Sequence, residues 1–329
     1  MKGFDPRWRD FPDYIIGITR EIWEDRGIAT LHDYYAPDIV VRTPMGIQRG
    51  NAGVIAATMA TCHEFPDREL LGEDVIWSGD AVGGYLSSHR ILSRATHSAD
   101  GQFGPATGLP WMARVIADCA ARSDTIFDEW LVRDYGGIVR QLGMEPRDYA
   151  AGLIAREGGP EQAARPFTPE ADIDGGYHGR GNDNAWGLRY EDSLNRIMAG
   201  DFRHIHQAWD RAMIGEYAGA RTAIGPEQAL AFWLGLRSSF PSATFAIHHR
   251  IGMEGGMMPP RAAIRWSLDG IHDGWGAFGR PSGARVHVMG LSHAEYGPYG
   301  PDGVGLRREF ALYDEIAIWK QILLHTGEL

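Results

Sequence analysis

The stretch YLSSHRILSRATH (85–97) sets His89, Arg90, Arg94 and His97 on one extended segment. Alternation along a strand puts His89 and His97 on one face and Arg90 and Arg94 on the other, unless a bulge shifts the phase. A near-neutral imidazole suits proton abstraction beside a carbonyl, and a guanidinium suits a carboxylate or an enolate-like oxygen. The competing reading makes such histidines hydrogen-bonded core or interface residues. In IHHR (247–250) the adjacent histidines point to opposite faces of a strand, a poor metal geometry without further ligands. No HExxH, paired CxxC, phosphate-cradling loop, Gly-x-Gly-x-x-Gly or nucleophile elbow occurs. The expectation is acid/base chemistry carried by side chains, with no metal and no cofactor.

These residues sit beside a repeat. THSADGQFGPATG (96–108) and IHDGWGAFGRPSG (271–283) align without a gap, sharing His97/His272, Gly101/Gly276, Phe103/Phe278, Gly104/Gly279 and Gly108/Gly283. At the same spacing HEFPDRELL (63–71) meets SSFPSATFA (238–246). With a slightly longer one DEWLVRDYGGIVRQL (128–142) meets REFALYDEIAIWKQI (308–322), pairing Glu129 with Glu309, Asp134 with Asp314 and Gln141 with Gln321. The extra residues fall in YGPYGPDGVG (296–305), a glycine–proline turn where insertion is cheap. A tandem duplication follows: residues 1–143 and 187–329 as two copies, joined by 144–186 as a linker with one short helix, EPRDYAAGLIAR.

Each copy opens with an amphipathic helix, such as DYIIGITREIWEDRG (13–27). A short strand, DIVVRTP (38–44) in the first copy, precedes a second helix (51–65, 225–240) and four segments rich in β-branched and aromatic residues. Helices first and strands after predict an α+β fold. Gly101, Gly104 and Gly108 read as hairpin and bulge positions.

YYAPDIVVRTPMGIQRG (34–50), the Thr-His hairpin at 96–108 and DEWLVRDYGGIVRQLG (128–143) together resemble the SnoaL-like family, the polyketide-cyclase branch of the nuclear-transport-factor-2-like superfamily. The resemblance covers the first copy in full and the second in weaker form. It implies two tandem cone-shaped domains, each a strongly curved antiparallel or mixed sheet wrapped around N-terminal helices, with a deep pocket. It also implies cyclisation, isomerisation, dehydration or hydrolysis without a metal or organic cofactor, or ligand binding alone. The family's acid/base aspartate falls on Leu131 here and on Ala311 in the second copy, and its helper-histidine region, MARVIAD (112–118), has no histidine.

Glu129 shares a strand face with position 131, and an apolar pocket would raise its pKa toward that of a working proton-transfer group. Glu129, His89 and His97 are therefore the candidate catalytic residues, the alternative for Glu129 being a surface carboxylate paired with an arginine. Arg90 is the candidate anion anchor, provided a bulge turns it inward. Trp23, Tyr34, Trp111 and Trp130 are candidates for holding a flat or apolar ligand, with Arg265, His272 and Glu309 as counterparts in the second copy. Asp134 and Asp314 are expected to cap the last turn, and the better-formed polar pocket is expected in the first copy.

The 329 residues carry 44% hydrophobic and 11% aromatic residues and a net charge of -11, with no basic cluster for nucleic-acid phosphates. No apolar run reaches the roughly 18–20 residues of a membrane helix, and the first residues lack a signal-like apolar core. Cys62 and Cys119 are isolated, so a reduced, cytoplasmic setting is expected. The expected partner is a small-molecule substrate, with neither nucleic acid nor membrane. The two copies are expected to form an internal pseudo-dimer, or the chain a homodimer. Three functions stand open: an isomerase-, lyase- or hydrolase-type enzyme on a small carbonyl or hydroxylated metabolite, a non-catalytic binding protein with the same pocket, and an interaction scaffold.

Overall fold

Asp10 starts the first helix, Phe11–Thr19, by accepting a hydrogen bond from the Asp13 amide at 2.8 Å, and Pro12 occupies the first turn, where a missing N–H is tolerated. Phe11, Tyr14, Ile15 and Ile18 form its buried stripe. A π-helical turn, Arg20–Glu24, continues it and carries Trp23. The computed structural model describes residues 1–300 and 302–329; within the turn assigned to the insertion, Pro301 lies outside the described residues.

The first sheet comprises β1 (Tyr35–Thr43), β2 (Gly46–Arg49), β3 (Glu69–Asp80), β4 (Gly84–Thr96), β5 (Pro110–Arg122) and β6 (Thr125–Arg133), in the order β2-β1-β6-β5-β4-β3. Helix Asn51–Glu64 connects β2 to β3. The second sheet comprises β7 (Trp209–Tyr217), β8 (Arg221–Ile224), β9 (Thr244–Met253), β10 (Arg261–Ile271), β11 (Arg285–Gly297) and β12 (Gly305–Tyr313), in the order β8-β7-β12-β11-β10-β9. Both have one parallel pairing, β1 with β6 and β7 with β12, among antiparallel neighbours. Identical strand order bears out the duplication and the α+β class. Register shifts in β1, β3 and β6 mark bulges, which bend long strands around their helices.

The repeated motifs have mechanical tasks. Gly101 packs against Glu64 so closely that a Cβ would lie 2.3 Å from its carboxyl carbon, and Gly104 holds a φ of 98°, which favours glycine. Gln141 accepts from the Met112 amide at 3.0 Å and donates to the Met112 carbonyl at 2.9 Å, extending the sheet's bonding with a side chain. Gln321 does the same to His287, at 2.8 and 3.0 Å. Asp134 caps helix Tyr135–Gln141 through the Gly137 amide at 3.0 Å, and Asp314 caps helix Glu315–Thr326 through the Ile316 amide at 2.9 Å. Both caps are as expected.

The segment 144–186 is not a free linker. Residues 146–166 cluster with the second unit and 167–179 with the first. The expected short helix, Pro146–Arg156, packs on helix Glu315–Thr326, where buried Lys320 pairs with Glu157 at 2.6 Å. The strip 167–179 returns to the first unit because buried Arg42 pairs with Asp128 and Asp172 and donates to the Ile173 carbonyl. Among the described residues no helix is long and apolar enough to cross a membrane.

Candidate functional site

Alternation along β6 turns Glu129, Leu131 and Arg133 to one side, where all three line a cavity of about 510 Å3 in the first unit. The helices and the sheet's inner face supply the remaining walls, including Ile15 and Trp23 from the first helix, Tyr35 and Thr43 from β1, Thr58, and His89 from β4.

Glu129 is 4% exposed, opposite Cys119 of β5 and Val41 of β1, and the Tyr35 hydroxyl donates to its carboxylate. Burial pushes its carboxyl up to about 7; the Arg133 charge and the Tyr35 hydrogen bond oppose the shift, and the Asp128 charge adds to it. Burial, followed by the Glu129 charge, holds the Tyr35 phenol and the Cys119 thiol well above their ordinary values. Cys119 is therefore a protonated wall residue and no thiolate nucleophile.

His89 is 2% exposed, and its Nε2 has no protein hydrogen-bond partner. Burial, helped by the Arg90 charge, pushes its imidazole down to about 3, so the ring is neutral at ordinary pH. A neutral imidazole can donate to a carbonyl oxygen or accept from a hydroxyl, depending on its tautomer.

The structure thus brings together Glu129, His89 and Trp23. It does not bring in the other candidates of this unit. His97 is wholly buried outside the cavity: Nδ1 lies 3.1 Å from Thr107 Oγ1 and accepts from the Thr107 amide, while Nε2 lies 3.3 Å from Glu64 Oε1 without hydrogen-bond alignment. It rivets the hairpin. Arg90 keeps to the far face of β4, since the bulge lies in β3 between Gly72 and Asp74, and it donates to Glu73 at 3.1 Å. Tyr34 points away from the cavity to Glu21 and Arg7, leaving its neighbour Tyr35 inside. Trp111 packs edge-on against Phe65, and Trp130, one residue out of phase with Glu129, lies beneath the Arg42 guanidinium.

The second unit has filled the same space. Glu309 is wholly buried and accepts from Tyr190 at 2.9 Å, Trp209 at 3.1 Å, Tyr217 at 2.5 Å and Trp233 at 3.2 Å. Burial pushes its carboxyl up, and those four hydrogen bonds pull against the shift. At structurally matched positions, with β1 and β7 aligned by their pairing to β6 and β12, the four donors replace Ile15, Tyr35, Thr43 and Thr58, all cavity-lining in the first unit. Arg265 faces away from this core beside His249. His272 holds its hairpin through Ser282 at 2.9 Å, as His97 does. The cavity described above belongs to the first unit, whereas Glu309 is enclosed by its four donors and His272 by its own hairpin.

Sequence reasoning missed Arg68 and Arg133 as cavity residues. Arg133 was detectable, because it continues the alternation that selects Glu129. Arg68 lies just outside a strand, where no periodicity operates. Among the described residues no group of His, Cys, Asp and Glu is placed to hold a metal ion.

Residues 14–142 match the family model described as SnoaL-like polyketide cyclase. Among solved structures, IdmH, a candidate polyketide cyclase from Streptomyces antibioticus, is 26% identical, covering 40% of this chain and 97% of that one, with a TM-score of 0.35. A candidate polyketide cyclase from Acidithiobacillus ferrooxidans is 22% identical, with 40% and 92% covered and a TM-score of 0.36. TsrD from Streptomyces laurentii is 20% identical, with 39% and 91% covered and a TM-score of 0.34. No curated protein matches the chain. Residues 14–142 form a domain of the SnoaL-like polyketide cyclase family, and the second unit, with the same strand order, is its diverged tandem copy.

Proposed function

We propose that the first unit is an acid/base enzyme of the isomerase, lyase or cyclase type, acting without an organic cofactor on a small carbonyl or hydroxylated metabolite. The observation that carries this reading is Glu129, a carboxyl inside a cavity with its protonation midpoint pushed up to about 7. A group titrating near the working pH is present in both forms, so it can take a proton and return it. In the proposed reaction the Glu129 carboxylate removes a proton from the carbon next to a carbonyl. Neutral His89 hydrogen-bonds the oxygen on which negative charge develops, and the protonated Glu129 then delivers the proton to another atom of the substrate. The Tyr35 hydroxyl holds the carboxylate in place throughout. The cavity, about 510 Å3 and walled largely by apolar side chains, is of a size usual for small-molecule sites.

A second reading, a binding protein without chemistry, is favoured by Leu131 at the position where the resemblance puts the acid/base aspartate. One experiment separates the two. A metabolite screen supplies a ligand, and Glu129→Gln is then compared with the parent for turnover and melting temperature. Loss of turnover by about 10²–10⁴ with the fold intact supports the enzyme. Tight binding of the ligand with no chemical change supports the binding protein.

A further inference from the structure

Two guanidinium groups in the same cavity touch no reacting atom in the acid/base reading, although the Arg133 charge tempers the rise of the Glu129 carboxyl. Arg133 closes the row Glu129–Leu131–Arg133 on β6, and Arg68 enters from the segment just before β3. Among the described residues neither makes an ion pair; Arg68 Nε donates to Ser93 Oγ at 3.1 Å. Two carboxylates that also line the cavity are engaged by backbone amides. Glu64 accepts from Gln102 at 3.0 Å and Phe103 at 2.8 Å, and Asp100 accepts from Ala106 at 2.9 Å. Burial and the Arg133 charge together push the Arg68 guanidinium down to about 10, so the pair repels and costs the empty protein stability.

The duplication supplies an internal control. At the repeat spacing Arg133 corresponds to Tyr313 and Arg68 to Ala243, both buried in the second unit's filled core. The fold therefore does not need the two charges. They occur in the unit whose cavity is open.

We propose that Arg68 and Arg133 bind a carboxylate group of the substrate, whose apolar middle passes Leu131 and whose reacting end lies at Glu129. Guanidinium groups match carboxylates through paired N–H donors, and an anion between two cations removes their mutual repulsion. Residues 129 and 133 are separated by about 13 Å of strand at about 3.3 Å per residue, so binding and reaction occur at opposite ends of one molecule. The placement of the reacting end rests on the acid/base reading; the anion site does not.

The test is calorimetric titration of the full chain with 2-naphthoate and with its uncharged isostere 2-naphthamide. The expected result is binding of the carboxylate tighter by about 10-fold or more, a preference lost in the Arg68→Leu/Arg133→Leu double variant and partly kept in Arg133→Lys. Should the double variant not fold, Arg133→Gln is read in its place. Equal binding of the two probes, no saturable binding of the carboxylate, or a preference that survives in the folded variant overturns the proposal. Glu129→Gln keeps the two outcomes apart. It is expected to retain or strengthen the carboxylate preference, because it removes a like charge, whatever it does to turnover. Retained turnover in that variant defeats the acid/base reading and leaves the anion site standing.

Discussion

Tyr35 and Trp209 occupy the same place in their two units, the first residues of β1 and β7, and each donates its polar hydrogen to the equivalent glutamate, Tyr35 to Glu129 and Trp209 to Glu309. One architecture thus yields two outcomes. Around Glu129 the remaining neighbours are short enough to leave a cavity, and around Glu309 they are long enough to close it.

That contrast is reversible by design. Thr58 lines the first cavity, and its counterpart Trp233 is wholly buried in the second. Thr58→Trp is expected to fill the first cavity and abolish ligand binding, while the melting temperature stays near the parent's. Overpacking of a closed core by this change would instead cost about 1–3 kcal/mol. Calorimetric titration with any ligand that binds the parent, together with thermal unfolding, checks both statements.

Glu129 makes stability depend on pH in an unusual direction. Its folded-state midpoint, about 7, lies above the ordinary 4.5, so the folded protein holds the proton more tightly than the unfolded chain. The resulting penalty is absent below pH 4.5, grows as pH rises, and is complete above about 7. At about 1.36 kcal/mol per pKa unit it amounts to about 3 kcal/mol. Glu129→Gln is expected to raise stability at pH 8 and leave it nearly unchanged at pH 4.5, as denaturant titration at the two pH values will show.

His89 works in the opposite direction. Its folded-state midpoint of about 3 lies below the ordinary 6.5, so protonation favours unfolding and stability is lost as pH falls from 6.5 toward 3. His89→Gln is expected to flatten this acid limb and to lower turnover. His97→Ala is expected to cost about 1–3 kcal/mol through the hairpin hydrogen bonds it removes, with a turnover change under about 10-fold. A larger loss of turnover in folded His97→Ala would return that histidine to the reaction.

Glu309 is structural in this account. Glu309→Leu strands two indole N–H groups and two hydroxyls in a dry core, and is expected to destabilise the second unit by about 3–5 kcal/mol. Turnover assigned to the first unit should persist wherever the variant folds. Limited proteolysis and an activity assay on the same sample read the two effects separately.

Sequence alone determined the duplication, the α+β order of elements and the mechanical residues. A left-handed φ at Gly104, a helix cap at Asp134 and a side-chain clip at Gln141 are local solutions to local backbone demands, so they recur at matched positions and can be read from types and spacing. Alternation also set Glu129 on the inner face of β6 and Arg90 on the outer face of β4. The tertiary structure decided what those faces met. His89 on β4 and His97 one residue past its end share a phase, yet the helices leave space beside the first, whereas the second is clasped by Thr107 from its own hairpin. Whether a glutamate faces a cavity or four donors depends on the bulk at Thr58 or Trp233, on a helix lying across the sheet. Periodicity reports the direction of a side chain and not the volume left in front of it; that volume is fixed only when helix and sheet pack.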